Sequence, residues 1–446
     1  MITPNVEDTT SFTHTLGTLV KKSWANLVKV TNMVKEFGQD DPRRIIHSFK
    51  VGFALVLIYI LHHFRPSFYG FGDNVIWAVL TVVIVLELSV GATLGKGFNR
   101  MLATGLAGAL GVASNKIATL CGDKGKVVMT SIFIFVIAER VTFMRFSPKL
   151  KTRYDYGMII FILTFCLISL SDMTGHELLE IAYGRLLTII IGSCIAITVC
   201  IFICPVWIGE DLHNKIASNI EKVADFLQGF GDEYFNYSEN TEAGNDKQFL
   251  HGYKSVLSSK SSEETMAVLA RWEPRHGRFR FRHPWKQYLK IGNLTRICAY
   301  KIEALSVYLH NSKTPYEFRS RIQESCTTIS LESGKALKES SLMIKNMSKA
   351  STPKSHVLNA KNAAESLKSI LRTNPWEGAD HLEIIPASTV ASLLIDIAVC
   401  VEHICEAIDE LASLANFVPS ELGSVWGIVQ PISDSDGSVH VVTVSE

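Results

Sequence analysis

Six apolar stretches follow one another before residue 210. They cover residues 45–63, 75–90, 101–120, 127–143, 156–170 and 186–206. A helix of about 20 residues, rising about 1.5 Å per residue, crosses a hydrocarbon core of about 30 Å. Several stretches are shorter, but six in tandem, joined by short loops, do not fit a soluble core. The pattern therefore predicts six transmembrane helices over residues 45–207.

After Trp207 the apolar positions recur at helical spacing among charged residues, with few strand signals. This periodicity predicts helices over 210–235, 248–271, 286–311, 316–349, 354–372 and 386–416, with Pro386 opening the last one. We predict an all-α membrane protein with four parts. These are a cytosolic N-terminal amphipathic segment (1–44), a six-helix transmembrane domain (45–207), a cytosolic helical domain (208–432) and a disordered tail (433–446).

The distribution of Lys and Arg predicts the orientation. Cations cluster before the first stretch, between the second and third, and between the fourth and fifth, whereas the last opposite loop holds only acids. Because Lys and Arg accumulate in cytoplasmic loops, both termini are expected in the cytosol. The basic amphipathic pattern of residues 16–37 fits an anionic inner leaflet, or equally a helix packed on the cytosolic domain.

Composition and absent motifs exclude most catalytic classes. The 446 residues carry a formal net charge of +1, which gives no reason to expect nucleic acid as a partner. No Walker A loop, HExxH, GxSxG or Rossmann glycine pattern occurs, and the nine cysteines include no CxxC pair. We expect no enzyme activity, no cofactor and no metal site.

Cations within the apolar half are the candidate functional residues. Lys96 and Arg100 are spaced to share one helix face, either as cations on a pore wall or as anchors at the cytoplasmic interface. Arg185 lies far from the cytoplasmic end, so it either pairs with Glu177 or Glu180 or lines an anion path. A conduit lined by such cations would concentrate anions.

Two acids in the apolar half leave a rival function open. Glu87 and Glu139 are either structural partners of neighbouring cations or the coupling acids of a proton-coupled organic-anion carrier. A third hypothesis, a membrane-anchored scaffold, gives no reason for cations inside the spans. Small residues at Gly91, Gly95 and Gly105 permit close approach of another helix, including one from a second subunit.

Several short motifs resemble the plant aluminium-activated malate transporter family of anion channels. They run in the expected order along nearly the whole chain: DPRRIIH (41–47), IWAV (76–79), GATLGKGFNR (91–100), YDYG (154–157), CPVW (204–207), GEDLH (209–213) and WEPRHG (272–277). The resemblance implies a homodimer that passes malate and other organic or inorganic anions. It also places Lys96, Arg100 and Arg185 along the pore, and Trp272, Glu273 and Pro274 in a family signature of the cytosolic domain.

Aluminium activation and location are further expectations from this resemblance. Glu177 and Glu180 match acidic positions of the last outer loop, whereas Tyr69 stands where the first outer loop is expected to carry an acid. Because hard cations favour several oxygen ligands, we predict little or no aluminium dependence. We expect contact with membrane lipid, and the plasma membrane in preference to the vacuolar membrane.

Overall fold

The computed structural model describes Lys29, Gly38 and residues 41–64, 71–171, 175–235, 250–309, 316–350, 352–373 and 381–419. Most of the predicted amphipathic segment, all of the predicted disordered tail and Tyr69 lie outside these residues. The described chain is almost entirely helical, which confirms the all-α class. It forms two compact units, one of residues up to Gly209 with Val268–Gly277, the other of the remaining described residues.

Six helices make up most of the first unit. They are α1 (Pro42–Phe64), α2 (Phe71–Val85), α3 (Val90–Thr119), α4 (Gly122–Arg145), α5 (Pro148–Ser169) and α6 (His176–Phe202). Helix α3 packs on α4, α5 and α6, and α6 also packs on α1 and α2. Two helices, α3 and α6, therefore hold this unit together, and both carry buried polar residues.

Helix α3 begins eleven residues before the predicted start. Ser89 caps it, because its side-chain oxygen accepts a hydrogen bond from the Ala92 N–H at 3.3 Å. Lys96 and Arg100 therefore lie within the first turns of α3, which agrees with the helical spacing that the sequence gives them. Glycines and polar residues lower the hydropathy of residues 90–100, so the search for apolar stretches missed this part of the helix. The capping serine, Ser89, is a sequence signal that does mark the helix start.

Length and composition mark five described helices as able to cross a membrane: Pro42–Phe64, Lys124–Arg145, Leu150–Ser169, His176–Phe202 and Ile384–Leu414. Helix α2 has only a shorter apolar part, Val75–Val85. Helix α3 is not among the five, because its glycines and polar residues lower its hydropathy. The last candidate packs within the second unit against three other helices. The six helices lie where six stretches were predicted, but six membrane crossings stay a prediction.

The second unit is a helical bundle. It contains α7 (Ile208–Phe235), α8 (Lys254–Leu257), α9 (Lys260–Ala270), α10 (Trp285–Ser306), α11 (Tyr316–Asn346), α12 (Thr352–Arg372) and α13 (His381–Leu414), although the ends of α7 and α9 next to the boundary belong to the first unit. Strands β1 (Ser348–Lys349) and β2 (Val418–Pro419) form one short parallel pair. Helix α13 packs on α10, α11 and α12, and forms much of the core.

The predicted start of the last helix was wrong. Helix α13 begins at His381, so Pro386 lies inside it rather than at its opening. Pro386 is the sixth residue of this helix, so its missing N–H removes one helical hydrogen bond, the bond to the carbonyl of Leu382. The bonds of the later turns are unaffected, and the helix continues to Leu414.

Candidate functional site

Helices α3 and α6 run antiparallel and in close contact. A Cβ added at Gly97 would lie 3.4 Å from Ile197, and one added at Gly105 would lie 4.0 Å from Leu186. Arg185 therefore lies near the level of Gly105, while Arg100 lies about 7.5 Å further along the α3 axis, at about 1.5 Å per residue. The two arginines occupy facing helices at neighbouring depths.

Arg185 is buried, and no acid in the described part of the chain pairs with it. Its residue is 3% exposed, and its Cζ lies 3.7 Å from the centre of the Trp77 ring. Its Nε and Nη1 have no hydrogen-bond acceptor among the described residues. Glu177 and Glu180 are exposed and form no ion pair with it in the part of the chain that the structure describes. The structure thus does not bring Arg185 together with the acids that the sequence offered as partners.

Arg100 is also 3% exposed, and it contacts a tyrosine rather than a carboxylate. Its Nη1 donates a hydrogen bond to the Tyr156 hydroxyl at 2.9 Å, while its Nε has no acceptor among the described residues. Arg100 and Arg185 lie on facing helices at neighbouring depths, and neither forms an ion pair with a described acid. Two like charges in a dry interior repel strongly, so this arrangement favours an anion or water between them.

Lys96 differs from the two arginines because it forms an ion pair with Glu87, and both side chains are more than a third exposed. Its Nζ also lies 5.9 Å from the centre of the Tyr156 ring, so Tyr156 contacts two of the three predicted pore cations. Glu139 forms an exposed pair with Arg140, with 3.3 Å between the charged groups. Both acids therefore have cationic partners.

Other buried polar atoms on α3 and α6 also lack hydrogen-bond partners among the described residues. They are Asn99 Oδ1, Thr104 Oγ1 and Asn115 Nδ2 on α3, and Ser193 Oγ on α6. Buried polar groups are normally hydrogen-bonded, and an unsatisfied one costs about 1–3 kcal/mol. These four atoms lie on the two helices that carry the arginines, and groups of this kind are normally satisfied by water or a ligand.

The segment Trp272–Glu273–Pro274 belongs to the first unit. The Trp272 ring lies 5.6 Å from the Phe98 ring, and a Cβ added at Gly95 would lie 3.2 Å from it. The Glu273 carboxylate accepts hydrogen bonds from the N–H groups of Ile208 and Gly209, at 2.6 and 3.0 Å. The signature thus contacts the first turns of α3, which also carry Lys96.

This contact changes the interpretation of the small residues on α3. A Cβ at Gly91 would lie 2.4 Å from the Leu269 carbonyl oxygen, and Gly95 faces Trp272. These two glycines therefore admit a segment of the same chain. Gly105 faces Leu186 of α6. The structure accounts for each of the three glycines by a contact within one chain.

The predicted aluminium-binding acids contribute two exposed carboxylates among the described residues. Glu177 and Glu180 lie in the first two turns of α6, three positions apart and thus on one face. No group of three or more His, Cys, Asp or Glu residues that could hold a metal occurs in the described part of the chain. The low aluminium dependence stays a prediction.

Two residues of the site, Trp77 and Tyr156, were missed as functional residues. Both lie in motifs that carry the family resemblance, IWAV and YDYG, and this is the only signal in the sequence that marks them. Nothing in their spacing indicates that Trp77 meets Arg185 or that Tyr156 meets Arg100, because each contact joins different helices.

Comparison with known proteins places this architecture in a family. The family model described as "Aluminium activated malate transporter" matches residues 35–378. Aluminum-activated malate transporter 2 of Arabidopsis thaliana is 45% identical over 429 residues, covering 93% of this chain and 85% of that protein. Aluminum-activated malate transporter 1 of Triticum aestivum is 41% identical over 416 residues, covering 89% of each. The chain therefore belongs to the aluminium-activated malate transporter family.

Proposed function

We propose that this protein is a dimeric anion channel that passes malate and other anions through a path lined by Arg100 and Arg185, with Lys96 near its cytoplasmic end. The observation that carries the proposal is the burial of Arg185 without any acidic partner among the described residues. An arginine at the centre of a membrane helix costs about 2.5–3.5 kcal/mol on insertion scales. A hydrated anion path offsets that cost, since the guanidinium then faces water and anions.

The spacing of Arg100 and Arg185 along the helix axes favours conduction over tight binding of one anion. Arg100 and Arg185 lie at neighbouring levels, so a dianion passes from one guanidinium to the next instead of meeting one clamp. Trp77 contacts one face of the Arg185 guanidinium, and a desolvated cation–π contact contributes about 2 kcal/mol. That contact holds the side chain in place while its N–H groups remain available to an anion.

The dimer rests on the family resemblance and on the surface of α4. The apolar segment Lys124–Arg145 of α4 has no residue buried inside the chain, so lipid or a second subunit covers it. On the proposed topology both termini are cytosolic, and the plasma membrane is the expected location. Mass measurement of the purified protein in detergent tests the dimer directly.

Current recordings on Arg185→Glu test the channel proposal. We expect loss of malate current while the protein still reaches the membrane, because a carboxylate at this depth repels dianions. Arg140→Glu is the matched control, since Arg140 is exposed and its one ion pair among the described residues is with Glu139. Undiminished malate current in Arg185→Glu would refute the assignment.

The proton-coupled carrier, with Glu87 or Glu139 as coupling acid, is the alternative to be excluded. The pairing of Glu87 with Lys96 favours a structural role for this carboxylate. A channel gives flux that reverses with the anion gradient at fixed pH, and Glu87→Gln leaves it conducting. Transport that follows the proton gradient and disappears in Glu87→Gln would identify a carrier instead.

A further inference from the structure

A cavity of about 340 Å³ lies in the first unit, between helices α3, α4 and α5. Helices α3, α4 and α5 line it, mainly with aliphatic, aromatic and methionine side chains. Its volume lies within the range of about 300–1,000 Å³ that is typical of small-molecule sites. Asn99 and Ala103 of α3 and Tyr154 of α5 belong to its wall.

The cavity has the depth of one lipid leaflet. Its walls on α5 run from Leu150 to Phe161, which is about 16 Å at 1.5 Å per residue. Half of a hydrocarbon core of about 30 Å is about 15 Å. Leu102 and Leu106 line the cavity and are also exposed, so it opens sideways from the helices. An acyl chain entering from the bilayer matches this shape.

Basic residues adjoin the wall residues Leu150 and Tyr154 in the chain. Lys151 and Arg153 are exposed and form no ion pair with a described residue, whereas Arg145 pairs with Asp155 at 2.8 Å. The Arg153 Cζ lies 5.3 Å from the ring centre of Tyr154, a wall residue, and 5.6 Å from that of Trp272. The exposed ring of Phe146 lies in the same turn between α4 and α5. Aromatic and basic side chains at a helix end are typical of residues that meet lipid headgroups.

One polar atom of the wall lacks a partner. The Asn99 Nδ2 donates to the Arg153 carbonyl oxygen at 3.0 Å, but its Oδ1 is buried and receives no hydrogen bond from a described residue. Asn99 is 7% exposed. This oxygen can accept a hydrogen bond from a hydroxyl group of a ligand bound at the level of Arg153.

We propose that this cavity is a binding site for an anionic, hydroxyl-bearing phospholipid such as phosphatidylglycerol. One acyl chain fills the space between α3, α4 and α5, and the phosphate lies against Lys151 and Arg153. On the proposed topology the lipid belongs to the cytoplasmic leaflet. The site adjoins the conduction path, because Tyr156, which binds Arg100, lies between Tyr154 and Gly157 of the wall.

Native mass spectrometry of the full-length protein tests the site with dioleoyl-phosphatidylglycerol and dioleoyl-phosphatidylcholine. We expect preferential retention of phosphatidylglycerol, undiminished by excess sn-glycerol 3-phosphate, since the headgroup alone does not fill the cavity. One basic residue near an anionic lipid contributes about fivefold in affinity, so Lys151→Gln with Arg153→Gln weakens retention about 25-fold. Lys124→Gln with Lys126→Gln, at the other end of α4, is the charge-matched control and keeps the wild-type preference.

A cavity-filling variant tests the acyl-chain part independently. Ala103→Leu occupies the cavity and is expected to abolish retention, whereas Ala109→Leu, at an exposed position of the same helix, is the matched control. Equal retention of both lipids by the wild type, displacement by glycerol phosphate, or wild-type retention in Ala103→Leu would each overturn the proposal. A change of oligomeric state in Ala103→Leu, with retention unchanged, would show that a second copy covers the cavity instead.

The influence on conduction rests on the proposed channel function and is measured separately. In planar bilayers, phosphatidylglycerol is expected to raise the anion current of the wild type, and the variant Lys151→Gln with Arg153→Gln is expected to lose that increase. A lipid-independent current in a protein that retains phosphatidylglycerol would refute the influence on conduction. Absence of anion current in every lipid would instead refute the channel itself, so the two failures are distinguishable.

Discussion

Replacing Glu273 tests how strongly the signature segment is held. Its carboxylate accepts two backbone hydrogen bonds, from Ile208 at 2.6 Å and Gly209 at 3.0 Å, at the N-terminus of α7. A hydrogen bond to a charged group contributes about 1.5–3 kcal/mol, and a carboxylate at a helix N-terminus adds about 0.3–1 kcal/mol. Since the side chain is buried, Glu273→Ala leaves two N–H groups without acceptors. We expect a loss of about 3–7 kcal/mol.

Thermal unfolding of the full-length protein in detergent, followed by loss of the monodisperse peak, measures this effect. Glu273→Gln keeps one carbonyl acceptor but turns an amide N–H toward the second donor, so it loses about half the stabilisation. The expected order of stability is wild type, then Glu273→Gln, then Glu273→Ala. Glu264→Ala, an exposed glutamate of α9, is the control and is expected to melt with the wild type. A Glu273→Ala midpoint equal to that of the wild type would refute the capping argument.

The surroundings of Gly91, Glu87 and His213 give three further predictions. Gly91→Ala brings a Cβ within 2.4 Å of the Leu269 carbonyl oxygen, so overpacking costs about 1–3 kcal/mol and lowers the melting midpoint. Glu87→Gln removes the partner of a cation, which should change the ratio of inward to outward malate current without abolishing it. Burial, reinforced by the charge of Arg278, lowers the pKa of His213 to about 4. His213 therefore binds a proton more weakly in the folded than in the unfolded protein. The free energy of unfolding is highest above about pH 6.5 and falls by about 3 kcal/mol as the pH drops to 4. Melting curves of His213→Asn should lack this pH dependence, and a wild-type slope in that variant would contradict the assignment.

Helix positions in the second unit were largely predictable. The predicted ranges 210–235, 316–349 and 354–372 correspond to α7, α11 and α12 within a few residues. Their apolar positions recur every three to four residues, and such local periodicity needs no knowledge of the partner. The start of α13 was missed because an early proline reads as a helix opening even when it lies in the second turn.

The boundaries in the first unit were less predictable. Hydropathy detects residues that face lipid or an apolar core, but α3 turns glycines and polar side chains toward α5, α6 and the signature segment. Its buried residues include Asn99, Arg100 and Thr104. A helix of this kind is recognised by its cap and its packing rather than by its average hydrophobicity.

By itself the sequence determined that the first half is a set of apolar helices carrying cations at Lys96, Arg100 and Arg185, because composition and helical period are local properties. Only the tertiary structure decided what each cation meets. Lys96 pairs with Glu87, Arg100 binds Tyr156, and Arg185 lies on Trp77 with no carboxylate among the described residues. These contacts depend on which helix faces are packed together, and residues distant in the chain share no local pattern that reveals their contact.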